Sequence, residues 1–271
     1  MREPILLIDG DVSAYLACPP RWEAKATVVD EVSYVSLDDD GNKVIPDYTE
    51  EEDTRYLMMS YDNFKKQITE IRESLFITEE NCLVAVAGKE NYRKTMYDQY
   101  KMNRHKDPKK QNKFVPILRE LAVAEDIAIA AHGREADDLI RIWYSQAWAN
   151  NREPIVCSID KDLKCMPGKH YNPKKKELTE VKPHEAMWFY YSQLLQGDST
   201  DNIPGLPGIG PVYAKRMLEH CTTEKEFQET VAGYYIAEFG DEWKDYLLSN
   251  GKMIHIQTRV DDYFSISNWS L

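Results

Sequence analysis

The feature that most constrains the fold is an alternation of short apolar runs with longer amphipathic stretches. The apolar runs are Ile5–Ile8, Leu83–Val86 and Ile155–Ile159, each bounded by polar or turn residues. Such runs are typical of buried parallel strands. The stretches that favour helices are Tyr61–Leu75, Phe114–Glu125 and Asp137–Ala149. The alternation predicts an α/β fold: a mostly parallel central sheet with helices on both faces and an active site outside the carboxyl ends of its strands.

Acidic residues follow the predicted strands and begin the third predicted helix. Asp9 lies in LLIDGD, directly after the first strand, while Asp160 and Asp162 lie in SIDKDL, after the third. The other acidic candidates, in the motifs GREADDLI and GDSTDN, are Glu135, Asp137, Asp138, Asp198 and Asp201. Capping alone would explain carboxylates at a helix start. Their joint occurrence at strand ends and helix starts favours a site for two Mg²⁺ or Mn²⁺ ions, which phosphodiester hydrolysis uses about 4 Å apart.

Composition excludes several classes of protein. No apolar run approaches the roughly 20 residues of a membrane span, and the apolar part of the N-terminus is too short for a signal peptide. We therefore expect no membrane partner and a cytoplasmic location, in the host cytoplasm if the chain is phage-encoded. The chain has five cysteines and no C-x-x-C motif, which argues against a disulfide framework and a zinc site.

Charge is distributed unevenly along the chain. The net charge of −12 argues against a nucleic-acid partner, but residues 89–119 hold ten Lys or Arg against three Asp or Glu. Tyr92, Tyr97 and Tyr100 interleave with these cations. The composition suits a grip on single-stranded nucleic acid, and the alternative is a solvated surface segment. Residues 18–60 form an acidic insert, for which turn residues 40–42 predict a solvated hairpin.

The sequence GLPGIGPVYAKRML, residues 205–218, is the strongest local signal. It places glycines on both sides of Ile209, directly before an amphipathic helix. Glycines allow a turn to present backbone N–H groups to a phosphate beside a helix N-terminus. The alternative, a plain Gly/Pro turn, explains this spacing less well, so we expect a phosphate-binding hairpin.

These ordered motifs resemble the 5′-nuclease (flap endonuclease) superfamily, and most closely its phage 5′→3′ exonuclease branch. The resemblance runs from residue 5 to about residue 219, and the segment NGKMIHIQTRVDDYF adds a weaker similarity. It implies that Asp9, Glu135 and Asp137 hold the first metal ion, with Asp138 in its outer shell. It implies that Asp160, Asp162 and Asp201 hold the second, supported by Asp198.

The resemblance also implies roles for the basic and glycine-rich segments. Lys89 and Arg93 match basic residues that act on the scissile phosphate. The DNA-binding residues would be Tyr100, Lys101 and Arg104 in a helical arch for a 5′ single strand, and Gly208, Gly210 and Lys215 on the duplex. The hairpin resembles the helix–three-turn–helix element, in which the carbonyl groups of Gly205, Leu206 and Ile209 would hold K⁺.

One position departs from the family pattern. The family has an aspartate after the strand that is written LVAVAGK here, and this chain has Gly88. We expect Asp11 to substitute, because residues two apart in an extended segment point to the same side and Asp9 would be its neighbour. On this view Gly88→Asp lowers the Mg²⁺ requirement and Asp11→Ala raises it.

Together these features predict a nuclease of two domains. The α/β nuclease core would be 1–182, with its arch at about 89–119, and the helical duplex-binding region 183–271, with its helix–three-turn–helix at about 190–220. The expected enzyme is a monomeric phosphodiesterase that cuts DNA at 5′ ends, flaps or nicks and leaves 5′-phosphates. The alternatives are a structure-specific DNA-binding protein with a degraded site, and a toxin-like single-strand ribonuclease.

Overall fold

The structure is a computed structural model that describes residues 2–19, 48–105, 112–267 and 269. A twisted sheet of six strands forms the centre of this described part. The strands are β1 (Pro4–Asp9), β2 (Cys82–Ala87), β3 (Ile129–Ala131), β4 (Glu153–Cys157), β5 (Gly168–Asn172) and β6 (Glu177–Val181). Their order across the sheet is β3-β2-β1-β4-β5-β6, and only β6 runs antiparallel to its neighbour. The chain winds outward from β1 in both directions, so the switch point lies where β1 adjoins β4. The predicted α/β fold with a mostly parallel sheet is confirmed.

Helices connect the strands and then form the C-terminal part of the chain. They are α1 (Gly10–Ala17), α2 (Glu50–Ser74), α3 (Tyr92–Met96), α4 (Phe114–Ala124), α5 (Ala136–Ala149), α6 (Pro183–Gln196), α7 (Pro211–Leu218), α8 (Glu224–Phe239) and α9 (Trp243–Ile254). Short 3₁₀ turns cover Glu79–Asn81, Met102–His105, Asp162–Cys165 and Gly240–Glu242. None of the helices in these described ranges is long and apolar enough to cross a membrane.

Side chains of β1 alternate between the two faces of the sheet, and a separate apolar cluster covers each face. Leu6 and Ile8 pack with residues of α1, α2 and α4. Ile5 and Leu7 pack on the opposite face with α5. Because successive residues of a strand point to opposite faces, a strand covered on both sides reads as a continuous apolar run. The prediction of helices on both faces is therefore confirmed.

Two predicted boundaries differ from the structure. The second helix begins at Glu50 rather than Tyr61, because Thr49 and Glu52 form a capping box that starts it earlier. The acidic insert, predicted to end at about residue 60, therefore ends by residue 49, and its hairpin at 40–42 lies outside the described residues. Strand β4 ends at Cys157, two residues before the predicted end, so that Ser158 and Ile159 belong to the loop.

Helices α6 to α9 surround a third apolar cluster, centred on Leu194, Phe227 and Tyr235. Tyr100, from the segment that was predicted to form an arch, packs into this same cluster. The described part of that segment holds the short helix α3, one 3₁₀ turn and the beginning of α4, and none of these described pieces is a long arch helix. Residues 106–111 and the side chain of Arg104 lie outside the described part. The division into two domains stays a prediction.

Candidate metal centre

The ends of β1 and β4 are joined by one serine hydroxyl. Asp9 is the last residue of β1, and its Oδ1 accepts hydrogen bonds from the backbone N–H groups of Asp11 and Val12, which cap α1. Its Oδ2 accepts a 2.7 Å hydrogen bond from the hydroxyl of Ser158, and the Asp160 N–H donates to that hydroxyl at 2.9 Å. The two adjacent strands thus present Asp9 and Asp160 at the switch point. Sequence reasoning missed Ser158, although it opens the motif SIDKDL.

The N-terminus of α5 brings further carboxylates to this edge. Glu135 is the N-cap residue, and Asp137 and Asp138 lie in the first turn. Asp138 accepts the Glu135 N–H at 3.0 Å, so the capping interpretation holds for this residue. Asp138 is completely buried and does not line the cavity that Glu135 and Asp137 share with Asp160. The structure therefore separates Asp138, a capping residue, from the two carboxylates beside it.

The loop after β4 and the loop after α6 supply the remaining acidic residues. The Asp162 N–H donates to Asp160 at 2.9 Å, and the amide of Gln193, on α6, donates to Asp162 at 2.7 Å. Asp198 pairs with Ile203 through backbone hydrogen bonds that close the GDSTDN loop. A cavity of about 30 Å³ lies where both sets of carboxylates meet, and apolar residues complete its lining. Its polar lining residues are Arg93, Tyr100, Lys101, Glu135, Asp137, Asp160, Asp162, Gln193, Asp198 and Asp201.

The cations of the chain divide these carboxylates into two groups. We define the neutralised half as Glu135, Asp198 and Asp201. The ammonium group of Lys161 lies 2.7 Å from Asp198, and that of Lys101 contacts Glu135 and lies 3.6 Å from Asp201. Burial raises the pKa of Glu135, but the charges of Lys101 and Arg93 outweigh it and leave the pKa lowered. Burial likewise raises the pKa of Asp198, but the hydrogen bond and charge of Lys161, together with backbone hydrogen bonds from Thr200 and Asp201, outweigh it and leave the pKa lowered.

The acidic half comprises Asp9, Asp137, Asp160 and Asp162. Burial and then the charge of Asp11 raise the pKa of Asp9 to about 6, against hydrogen bonds from Ser158 and Val12. Burial and the charges of Asp9 and Asp160 raise the pKa of Asp137 well above its ordinary value. Burial and the charge of Asp160 raise the pKa of Asp162 to about 6. Crowded carboxylates with little cationic compensation favour protonation or an external cation.

The donor set of the acidic half fits a hard divalent cation. All its ligating atoms are carboxylate oxygens, which Mg²⁺ and Mn²⁺ prefer, and partial burial strengthens the attraction of a cation. Among the described residues, no three His, Cys, Asp or Glu side chains already stand in ligand geometry around one point.

Lys101 and Tyr100 lie inside the site instead of on a DNA-gripping surface. The Tyr100 ring is buried, and its hydroxyl donates to Glu135 at 2.9 Å and contacts Asp201 at 3.3 Å. This burial leaves no ring face for the base stacking expected from the sequence. Lys101 has a left-handed φ of 60°, which costs a non-glycine residue about 1–2 kcal/mol. Strain of this kind is common where the surrounding site holds a side chain in place.

Arg93 and Lys89 do not occupy the positions expected of residues that act on a phosphate. Arg93 is 1% exposed, and its guanidinium forms a bidentate ion pair with Asp138 at 2.7 and 2.8 Å. Its remaining donors are also directed at protein acceptors, so it positions other groups. The Lys89 side chain is 90% exposed, lies 3.9 Å from Glu120 and lines a different cavity. Arg93 and Lys89 differ in burial because Arg93 lies in α3, which is covered by the C-terminal helices, whereas Lys89 lies in the loop before α3.

The close packing of the backbone around Gly88 explains why no aspartate occupies this position. A Cβ atom at this position would lie 2.1 Å from the carbonyl oxygen of Ala131, so no side chain fits there. Asp11 is in the first turn of α1, and the expectation that it extends beside Asp9 is therefore wrong. Its carboxylate accepts the Ala87 N–H at 3.0 Å and lies 2.8 Å from Arg119. The loop after β2 is thus closed by Asp11 and packs too closely on β3 for an aspartate.

The glycine-rich loop between α6 and α7 has the expected turn. Gly197 and Gly205 have positive φ angles, and a Cβ atom on Gly205 would lie 2.3 Å from the Gly197 nitrogen. Gly208 also has a positive φ, of 72°, while Gly210 caps α7 and has open space around it. The Leu206 carbonyl accepts the Ile209 N–H at 3.2 Å, and the Lys215 side chain is exposed. Roles in duplex and K⁺ binding stay predictions.

Comparison with known proteins identifies the family. The model of the family described as "5'-3' exonuclease, N-terminal resolvase-like domain" matches residues 44–187, more than half of the chain. The chain therefore belongs to this 5′-3′ exonuclease family, which confirms the resemblance to the 5′-nuclease superfamily. The match contains Glu135, Asp137, Asp138, Asp160 and Asp162, but not Asp9, Asp11, Asp198 or Asp201.

Individual relatives agree with this assignment, and a solved structure shares the fold. The chain is 35% identical over 138 residues to a DNA polymerase I of Rhizobium leguminosarum, covering 47% of this chain and 14% of the polymerase. It is 28% identical to a 5′-3′ exonuclease of Buchnera aphidicola over 61% of both chains. The fold is similar to that of a bacteriophage T5 D15 flap endonuclease, solved with DNA and metal ions, with a TM-score of 0.52 and 12% identity over 93% of this chain and 99% of that one. The chain thus spans less than two thirds of each of these two curated relatives.

Proposed function

We propose that the chain is a divalent-metal-dependent 5′-nuclease that hydrolyses DNA phosphodiesters at or near 5′ ends and leaves 5′-phosphates. The observation that carries the proposal is the meeting of Asp9, Glu135, Asp137 and Asp160 at the switch point of the sheet. Two Mg²⁺ or Mn²⁺ ions fit the oxygen donors of the acidic half and of the adjoining loop. Family membership and the 5′-3′ exonuclease and flap endonuclease among the similar proteins support the same reaction.

The residues of the chain divide the work of binding and orientation. Asp9, Glu135, Asp137 and Asp160 would hold the first ion, and Asp162 and Asp201 the second, with Asp198 in support. Bound ions would supply Lewis-acid stabilisation of the charge that develops on the phosphate. Ser158 orients Asp9, and Gln193 orients Asp162.

Lys101 takes the role that the sequence suggested for Lys89. Its ammonium group lies beside Glu135 and Asp201, where it can donate to a phosphate oxygen once those carboxylates engage an ion. A charged donor that is held in place before substrate binds stabilises developing charge without a reorganisation cost. Tyr100 fixes the Glu135 carboxylate from the other side.

Cleavage assays on nicked, 5′-flap and blunt duplexes test the proposal. We expect Mg²⁺-dependent cleavage that excess chelator stops, and products that carry 5′-phosphates. Asp160→Asn should nearly abolish cleavage while DNA binding persists, and Asp245→Asn, an exposed substitution on α9, should be neutral. Metal-independent cleavage would contradict the proposal, whereas binding without cleavage at any metal concentration would favour a DNA-binding protein.

The glycine-rich loop and α7 would bind the duplex backbone, and K⁺ would be held by carbonyl groups of residues 205–209. Lys215→Ala should lower the salt dependence of duplex binding by about 0.9 in log–log slope. Lys225→Ala, an equally exposed lysine on α8, should not change it. Gly210→Ala is a sharp probe, because its Cβ would meet no protein atom within 4 Å, so lost duplex affinity would report a collision with DNA.

A further inference from the structure

The last residues of α9 and the segment that follows them return to the N-terminus of α5, where Gln257 is buried. Gln257 is 1% exposed. Its backbone N–H donates to Asp138 Oδ1 at 3.0 Å, and its side-chain oxygen accepts a 3.0 Å hydrogen bond from Arg134. In the sequence, Arg134 and Asp138 lie on either side of the stretch that contains Glu135 and Asp137. The segment is therefore hydrogen-bonded to the start of α5 on both sides of these two carboxylates.

Arg93 connects the same C-terminal segment to Asp138. Its Nε donates to the Met253 carbonyl at 3.0 Å, and its Nη2 donates to the His255 carbonyl at 2.5 Å and to Asp138. Asp138 in turn accepts N–H groups from Gln257 and Glu135. A buried ion pair is tolerated only when further hydrogen bonds satisfy its atoms. Here the C-terminal segment supplies several of those bonds, so the pair is complete only when the segment is docked.

Packing holds the C-terminal segment in place. The Phe264 ring lies so close to α9 that a Cβ atom on Gly251 would be 2.1 Å from it. Asp262 accepts hydrogen bonds from the backbone and the hydroxyl of Thr258 at 3.0 and 2.6 Å and lies 3.2 Å from the His255 ring. The chain between residues 255 and 264 is therefore folded on itself as well as docked.

We infer that residues 253–257 are a positioning element of the metal centre, which fixes Glu135 and Asp137 through Arg134, Asp138 and Arg93. The element lies outside the segment 44–187 that the family model matches. The inference rests on the proposed function, because it assigns a purpose to the position of two metal ligands. Removing a group that orients a metal ligand through a hydrogen bond lowers metal affinity about 10–100-fold.

Calorimetric titration of the full chain with Mn²⁺, without DNA, tests the inference. Gln257→Leu and Arg134→Met each remove the side-chain hydrogen bond between Gln257 and Arg134, and each should weaken Mn²⁺ binding about 10-fold. Arg134→Lys keeps a donor and should recover part of the affinity. The matched controls are Gln228→Leu, a buried glutamine that contacts Tyr191, and Arg141→Met, on the same helix as Asp137 but bonded to Cys165. Both controls should bind Mn²⁺ as the unaltered chain does.

Two further measurements keep the outcomes distinct. Thermal unfolding without metal identifies a variant that has lost its fold. If Gln257→Leu does not fold, the test of the inference is the Mn²⁺ affinity of Arg134→Met, which changes a partly exposed residue. Unchanged Mn²⁺ affinity in folded Arg134→Met would overturn the inference, as would equal weakening in the controls. If the unaltered chain cleaves DNA while the variants bind Mn²⁺ normally, the inference fails and the proposed function stands. If the variants lose Mn²⁺ affinity but the unaltered chain never cleaves, the proposed function fails alone.

Discussion

Glu135 and Asp137 leave the same turn of α5, two residues apart, and meet opposite surroundings. Glu135 faces Lys101, Arg93 and the Tyr100 hydroxyl, which offset its burial and lower its pKa. Asp137 faces Asp9 and Asp160, which add to its burial and raise its pKa. The contrast extends to Asp198, whose pKa is lowered beside Lys161, and to Asp9 and Asp162, whose pKa values are raised. Where the fold supplies lysines the carboxylates already have cationic partners, and where it does not the crowded negative charge favours an added cation.

The largest expected effects come from removing one carboxylate from each half. Asp137→Asn should lower the cleavage rate about 100-fold or more, since several kcal/mol of charge stabilisation depend on the ion it holds. Without metal the same change should stabilise the fold by roughly 1 kcal/mol, because it relieves repulsion from Asp9 and Asp160. Asp198→Asn should instead destabilise the metal-free fold, because it deprives Lys161 of its partner. Thermal unfolding without metal measures the change in stability of both variants. A loss of stability in both would contradict the comparison between the acidic and the neutralised half.

Lys101→Met should convert part of the neutralised half into an acidic one. Glu135 and Asp201 lose their nearest ammonium group, so the unfolding free energy should fall by roughly 2 kcal/mol without metal. Added Mg²⁺ should restore more stability to this variant than to the unaltered chain. Cleavage should still fall about 100-fold, because a charged donor to the phosphate is lost. Unfolding curves with and without Mg²⁺ check this, and equal gains in both proteins would count against it.

Gly88→Asp tests whether a further carboxylate can be added to the acidic half. The Cβ atom would collide with the Ala131 carbonyl, so we expect a loss of roughly 2–3 kcal/mol in stability and no lower Mg²⁺ requirement. This reverses the expectation from the sequence. Lys89→Ala, at the exposed neighbouring position, should leave stability unchanged. A stable Gly88→Asp variant that is half-saturated at lower Mg²⁺ would refute the steric explanation.

The smallest expected effect concerns a carboxylate outside the metal centre. Hydrogen bonds from the N–H and hydroxyl of Thr222 and the N–H of Thr223 lower the pKa of Glu226 to about 2, from an ordinary 4.5. A lowered folded-state pKa stabilises the fold above the unfolded pKa, and this contribution is lost as the pH falls from 4.5 towards 2. Glu226→Gln should remove that part of the acid sensitivity, and Glu229→Gln should not. An NMR titration that gave Glu226 an ordinary pKa would disprove the cap.

Much of the fold was predictable because it depends on local patterns. Strands β1, β2 and β4 read as apolar runs, since β1 is buried on both faces, and acidic residues follow β1 and β4. Strands β3, β5 and β6 were not predicted, because β3 has only three residues and β5 and β6 are largely polar. Boundaries were less predictable: the capping box at Thr49 begins α2 eleven residues before the apolar periodicity becomes clear. The predicted end of the acidic insert, at about residue 60, shows the same weakness, because a run of charged residues does not mark where a helix begins.

The sequence by itself determined the fold class, the family and the carboxylates that meet at the switch point, because each of these follows from residue type and order along the chain. Only the tertiary structure decided which carboxylates are neutralised, because Lys101, Lys161 and Arg93 reach them from other elements. It also showed that Lys101 lies within the site while Lys89 does not, and it added Ser158 and Gln257. The physical reason is that pairing energies depend on distance and burial between residues remote in sequence, and no local pattern records either.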